Sequence, residues 1–329
     1  NPFTGADSFL QKLNLKQSYI DITAENQKTG KVKIKVWVEV HRPVIHVDME
    51  SESELKAEIV YENWRFEDRV MPDGDGKSLT RGMCMINYDS YPGQVKLYRD
   101  QFETGESSMF FYHRLRQEES IFEFQVEQQS LTPVREQLQD PLKNLTWGGA
   151  VTGDNLVKEG STSGEYASTP YQGWKYKTKE SSREHSFRIY THIEQTENIK
   201  EWKTGLKKLM EEDRTDEEAR QKNREWWQQF WERSKIVIKN NEEGREISRN
   251  YNLMRYMLAC NISGREPTMF NGGLFTFDPV YADETFSGPA YTPDHRAWGA
   301  ALTAQNQRLL YWPLLKTGDF ELMKPGFDF

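Results

Sequence analysis

The chain is poor in several things, and each shortage excludes something. Its 329 residues include two cysteines, Cys84 and Cys260, too few and too far apart for a disulfide framework or a CxxC metal pattern. Cys260 lies in the apolar stretch "LMRYMLACNIS", where a buried free thiol is expected. No apolar run approaches the ~18 residues that a membrane-spanning helix needs. Hydrophobic residues make up only 36%, and mean hydropathy is −0.84. Positive charge is not in surplus: the net charge is −8, and the basic residues of Lys200–Glu225 are interleaved with acids. A nucleic-acid partner, which needs a clustered basic face, is excluded on that ground. There is no GxSxG elbow, P-loop, dinucleotide fingerprint or internal repeat, and neither a cofactor nor a metal is expected. "DGDG" at Asp73–Gly76 lacks the remaining spacing of a calcium loop, and His41 and His46 are five apart in strand-like sequence, on opposite faces. The chain starts "NPFTGADSF", without an initiator Met or signal peptide, which suits a leader or upstream segment having been removed.

Aromatic rings are what the chain has in quantity: 13% of residues, 10 of them Trp. Rings supply core that aliphatic residues do not, and they also suit the flat apolar faces of sugars.

From about residue 18 to 195 the pattern is that of strands. "KVKIKVWVEV" (Lys31–Val40) sets Val32, Ile34, Val36, Val38 and Val40 against Lys33, Lys35, Trp37 and Glu39, a period of two with one face buried and the other partly wet. "VIHVDMES", "KAEIVYENW", "GQVKLYRD", "SMFFYHRL", "SIFEFQVEQQ", "GWKYKTK" and "HSFRIYTHIEQ" continue the theme, separated by turn clusters such as "MPDGDGKS" and "TGDN". Many antiparallel strands so spaced predict a large β-sandwich.

At Thr196 the rhythm changes. Ile199, Trp202, Leu206 and Leu209 recur every three or four residues, predicting a helix. A second helix follows, N-capped by Thr215, with two aromatic i,i+4 pairs, Trp226/Phe230 and Trp227/Trp231. "KIVIKN" is strand-like. Ile247, Tyr251, Met254 and Leu258 then fall on one row of a helix apolar around most of its circumference, hence buried on several sides. The aromatic loop Gly264–Thr292 is read as ordered and functional. The last helix starts at Thr292 and Pro293. Trp298, Leu302, Leu309 and Trp312 share a row with Gln305, and His295, Gly299 and Asn306 share the next. Amides therefore interrupt a face that should be core, either as a buried hydrogen-bonding network or because the face lines a polar cavity.

"NREWWQQFWERSKIVI", "MFNGGLFTFDP", "YTPDHRAWG" and "QNQRLLYWPLLKTGDFELMKP" occur in that order between residues 217 and 329. Together they resemble the start of the catalytic region of bacterial glycoside hydrolases built as a β-supersandwich, a helical linker and an (α/α)6 barrel, related to the 1,2-α-L-fucosidase family. The likeness is greatest to members with no assigned activity. Over 1–195 the resemblance is architectural. It implies a β-supersandwich over 1–195, a linker over 196–241 and the beginning of the barrel over 242–329. Aligned on Tyr311, Trp312 and Pro313, the second Asn of the fucosidase Asn-x-Asn pair falls on Asn306 and the first on Ala304. In that family the two amides orient the water that a carboxylate base activates. Asn306 is thus the candidate for water or substrate orientation, with a buried structural amide as the alternative.

The substrate-binding candidates are Asn271, Asp278, Asp294, Arg296, Trp298, Gln305 and Arg308. Asn271 precedes two glycines at a pocket mouth. Asp278 is a loop carboxylate or a turn acid. Asp294 is a first-turn acid or a sugar ligand, Trp298 is a stacking platform or core, and Arg308 grips a hydroxyl or pairs with an acid. An inverting glycosidase needs two carboxyl groups ~6.5–9.5 Å apart, and the resemblance puts the acid and base on later barrel elements, downstream of this chain. The expected function is therefore the N-terminal portion of an inverting hydrolase of fucoside-like or other complex glycans, secreted or periplasmic, inactive as this piece alone. A glycoside phosphorylase and a non-catalytic glycan-binding protein are the alternatives.

Overall fold

A computed structural model describes residues 3–70, 96–115, 121–166, 169–212, 215–260, 264 and 304–328. Their first part is antiparallel sheet. One sheet has eight strands in the order β1-β2-β3-β4-β13-β10-β9-β8. These are β1 (Ser8–Asn14), β2 (Tyr19–Asn26), β3 (Gly30–Val38), β4 (Val44–Leu55), β8 (Gln101–Thr104), β9 (Ser108–Arg114), β10 (Leu145–Gly153) and β13 (Ser182–Gln195). A second sheet, β11-β12-β5, comprises β5 (Glu58–Asn63), β11 (Leu156–Tyr166) and β12 (Thr169–Thr178). A two-residue pair, β6 (Arg69–Val70) and β7 (Lys96–Leu97), stands apart.

The two sheets enclose a core of Met109, Val151 and Phe187 from the large sheet and Leu156 and Tyr176 from the small one. Alternation along β10 sends Val151 into that core and Ala150 to the other face. There Ala150 packs on Trp202 and Leu206 of α2 (Ile199–Glu211), both fully buried. Asn198 caps this helix by accepting from the Glu201 N–H. Sheet, sheet and helix thus form three layers.

Helix α3 (Asp216–Arg233) starts at the capping box of Thr215 and Glu218, as its sequence signals. Both aromatic pairs stack, with ring centroids 5.4 Å apart for Trp226/Phe230 and 6.4 Å for Trp227/Trp231. With α4 (Glu242–Ala259) and α5 (Ala304–Thr317), α3 builds a separate core of Trp227, Phe230, Leu258, Ala259 and Leu314. A 3-10 turn (Phe320–Met323) and α6 (Lys324–Asp328) follow.

One amide near the middle of helix α3 ties it to the end of a strand. Asn223 accepts from the Val40 N–H and donates to the Val38 carbonyl, both at 2.7 Å, so it serves the end of β3 as a neighbouring strand would. Asn223→Leu is expected to cost about 2 kcal/mol, because it removes two hydrogen bonds at a part-buried seam; urea denaturation measures it.

Several expectations are corrected. "SIFEFQVEQQ" forms helix α1 (Phe122–Gln128), not a strand. Phe122 and Val126 lie on one side in either geometry, and the Glu and Gln between them favour the helix. Among the described residues "KIVIKN" pairs with no strand: Ile238 N–H donates to Ser248 Oγ, and the Ile236 carbonyl accepts from Asn252. In β3 the row Val32 to Val40 is not uniformly inward: Val32 is buried, but so are Trp37 and Glu39, whereas Val38 is exposed. The reason is that α3 covers the second face at that end. Helix α4 is less enclosed than its composition implies, since Ile247 and Met254 are exposed and the buried polar residue is Arg255. Cys260 is exposed, not buried. Strands β1, β10 and β11 carried little signal. In β10 the blank is "GG": a Cβ on Gly149 would lie 2.0 Å from the Tyr190 carbonyl oxygen, so close strand approach demands glycine there.

Candidate functional site

Asn306, Gln305 and Arg308 fall within one turn of α5. Gln305 and Arg308 are exposed, and the Arg308 guanidinium lies 5.4 Å from the Trp312 ring centroid, a cation–π approach. Asn271, Asp278, Asp294, Arg296 and Trp298, like the helix start at Thr292 and the aromatic loop after Gly264, lie outside the described residues.

The core row of α5 is not the one expected. Gln307, Leu310, Tyr311 and Leu314 face α3 and α4: Gln307 and Leu314 are buried, and Leu310 and Tyr311 pack against the Trp227/Phe230 core. The row holding Gln305, Leu309 and Trp312 points away, with Leu309 57% and Trp312 58% exposed and Leu315 beside them at 54%. Gln305 therefore does not interrupt a core face. Residues three and four apart gave two adjoining rows of similar polarity, and only the positions of α3 and α4 decide between them.

The end of α5 is held by a group that spacing did not single out. Gly318, at φ +74°, turns the chain, and Asp319 follows with no exposed surface. Its carboxylate receives a two-pronged contact from Arg255 of α4, Nε and Nη2 each at 2.9 Å, and another at 2.9 Å from Arg233 of α3. Thr317 Oγ1 also donates to it. Arg255 in turn donates to the Phe230 carbonyl at 2.8 Å and to the Ser234 carbonyl, and lies 3.8 Å over the Phe230 ring. One carboxylate thus joins three helices. The visible signal was "TGDF", a glycine turn followed by an acid and an apolar residue.

A second cluster sits where α3 meets the sheet. His46 is stacked on Trp37 at 3.8 Å, and its Nε2 is 2.9 Å from Glu39 Oε1 while Nδ1 is 3.6 Å from Asp216 Oδ1. Arg188 bridges Asp48 and Asp216, and Arg220 reaches Asp48 Oδ2 at 2.7 Å. Burial pushes the Asp48 carboxyl up, but Arg188 and hydrogen bonds from Ser186 and Trp37 outweigh it, and the net shift is downward. His46 is only 2% exposed, and the cluster acts as a polar seam between α3 and the sheet. Among the described residues no group of three His, Cys, Asp or Glu is placed to hold a metal ion, and no helix is long and apolar enough to cross a membrane.

An open cleft of about 990 Å³ separates the loop 135–144 from the last turns of the chain, lined by Arg135, Asp140, Lys143, Gln195, Glu321 and Lys324 among others. Neither Gln305 nor Arg308 lines it.

Two solved structures are similar in overall path. One is described as a kojibiose phosphorylase from human microbiome: it is 11% identical with a TM-score of 0.40, over 81% of this chain and 29% of that one. The other is a bacterial glucoamylase complexed with acarbose: 8% identical with a TM-score of 0.32, over 79% of this chain and 32% of that one. The chain spans less than a third of the length of either. No curated protein matches it. A family profile described as "Domain of unknown function (DUF5703)" matches residues 1–236. An antiparallel β domain followed by helices, matched over most of its length, places this chain in the DUF5703_N family.

Proposed function

We propose that this chain is the N-terminal portion of an inverting glycoside hydrolase, secreted or periplasmic, acting on fucoside-like or other complex glycans. Its sheets and linker helices buttress the first helices of an (α/α)6 barrel, and the acid and base come from downstream. The observation that carries this reading is the two-sided character of α5. One side is packed on α3 and α4, and the other presents Leu309, Trp312 and Leu315 beside Gln305 and Arg308. A helix so patterned suits a position between an outer layer and a sugar-binding centre, where apolar rings and amides alternate. The ordered motifs of residues 217–329 support the same placement, with Asn306 orienting water or substrate.

The test uses the native protein from its source cells, whose intact mass is measured before glycans are screened. A mass at least twice 38.7 kDa, with release of sugar of inverted anomeric configuration by proton NMR, supports the proposal. A mass near 38.7 kDa with no turnover sinks it and leaves a glycan-binding module. Turnover that requires phosphate makes the enzyme a phosphorylase. In the active full-length enzyme, Asn306→Ala is expected to lower kcat roughly 100-fold with little change in KM, the size of effect seen when one preorganised polar group is lost from a transition state. Steady-state kinetics on the hydrolysed glycan check it.

A further inference from the structure

Sheets in natural proteins guard their edges, because an unpaired row of N–H and C=O groups recruits another strand. Three of the four edges of the two main sheets are guarded here. Strand β8 is four residues long; Phe102 stacks on Trp174 at 4.0 Å, and Glu103 is tied to Lys203 at 2.6 Å. Strand β11 is bulged between Lys158 and Gly160 and carries Lys158, Glu159 and Glu165. Strand β5 presents Glu58 and Glu62. The fourth edge, β1, is guarded least, by a single lysine. Its seven residues pair with β2 without a bulge from Ser8↔Glu25 to Asn14↔Tyr19, and nothing described pairs with its other side. It contains no proline and one charge, Lys12. Six of its seven residues are exposed, including Phe9 at 58%, Leu10 at 61% and Leu13 at 39%.

The strand also complements itself. A two-fold axis perpendicular to the sheet at Gln11 sets a second β1 antiparallel to the first and keeps each residue on its own face. All seven positions are then paired. Phe9 lies opposite the second copy's Leu13, twice, and Ser8 lies opposite Asn14. Lys12 lies opposite Leu10, so its stem has apolar surface to cover and its ammonium no like charge directly across. Moving the axis to Lys12 would oppose the two ammonium groups, and moving it to Leu10 would lose the Phe–Leu pairs. We infer that β1 is a self-association edge, joining two copies of this chain into one continuous sheet of sixteen strands, twice the eight of each copy. It is independent of the proposed activity.

The test is sedimentation equilibrium of the 329-residue chain carrying Trp312→Lys, which removes the exposed face of α5 as a second route to association. This protein should form a concentration-dependent dimer. Leu13→Glu and Phe9→Lys should each weaken it about tenfold, since either change spoils two cross-strand pairs at once. Combining them should restore the dimer, because the introduced cation and carboxylate then face each other across the axis. Circular dichroism verifies that each variant is folded. A monomer at every concentration overturns the inference, as does a dimer unmoved by both single changes. A double variant no tighter than the singles overturns the antiparallel register centred on Gln11, and the inference with it.

Discussion

Asp319→Ala should lower the free energy of unfolding by about 3–5 kcal/mol, the size of effect found when one partner of a buried ion pair is deleted. Asp319 is fully buried and Arg255 is 3% exposed. Removal of the carboxylate leaves the guanidinium desolvated and without a counter-charge, held by the Phe230 and Ser234 carbonyls and the Phe230 ring. Arg233 suffers less, because its side chain is 34% exposed and retains Glu321 at 2.9 Å. The ordering is therefore informative. Asp319→Ala and Arg255→Ala should be severe, Arg233→Ala milder, and Arg255→Met with Asp319→Leu less damaging than either large single change, since no charge is then left buried. Urea denaturation of the four proteins checks the order. If Arg233→Ala equals Asp319→Ala, the assignment of Arg255 as the dominant partner is wrong.

Trp202→Ala should cost about 3–5 kcal/mol, the range for deleting a large buried ring. Trp202 has no exposed surface and lies between Tyr112 of β9 and His192 of β13, at 5.5 and 5.6 Å between ring centroids. With Leu206 it is the main anchor of α2 on the outer face of the large sheet. The loss should be local as well as global: amide exchange in α2 should accelerate more than in α3, which has its own attachment through Asn223. Hydrogen exchange resolved by peptide distinguishes the two helices. Equal acceleration in both would mean that α2 and α3 open as one unit.

Where the sequence could be read, one force dominated. The Thr215 capping box and the Trp226/Phe230 ladder are local, so α3 was legible almost to the residue. Strands β4, β12 and β13 alternate because the sheets enclose a core, and alternation is visible in one dimension. Legibility failed where a distant element decides. The inward turn of Trp37 and Glu39 depends on α3, nearly two hundred positions later. "FEFQVEQ" satisfies a strand and a helix alike until Val126 has something to pack on. The same holds for the candidate site. Gln305, Asn306 and Arg308 were identifiable as polar positions in an apolar segment, but which row of α5 faces α3 and α4 follows from Tyr311 and Leu314 joining the core of Trp227 and Phe230. Asp319 shows the opposite case. Its turn was readable from Gly318, while its two arginine partners are 64 and 86 residues away and carried no signal of their own.

The strand order has a consequence during synthesis. Strand β13 lies between β4 and β10 at the middle of the large sheet, yet of the thirteen described strands it is the last to leave the ribosome. Ser186 and Asp48, hydrogen-bonded across that junction, are 138 residues apart. At about 5–20 residues per second, the twelve-residue β4 waits roughly 7–28 s for the neighbour that completes it. Until then the nascent β1–β4 meander carries an open edge on each side, and the sheet closes from its centre only after both wings have been made.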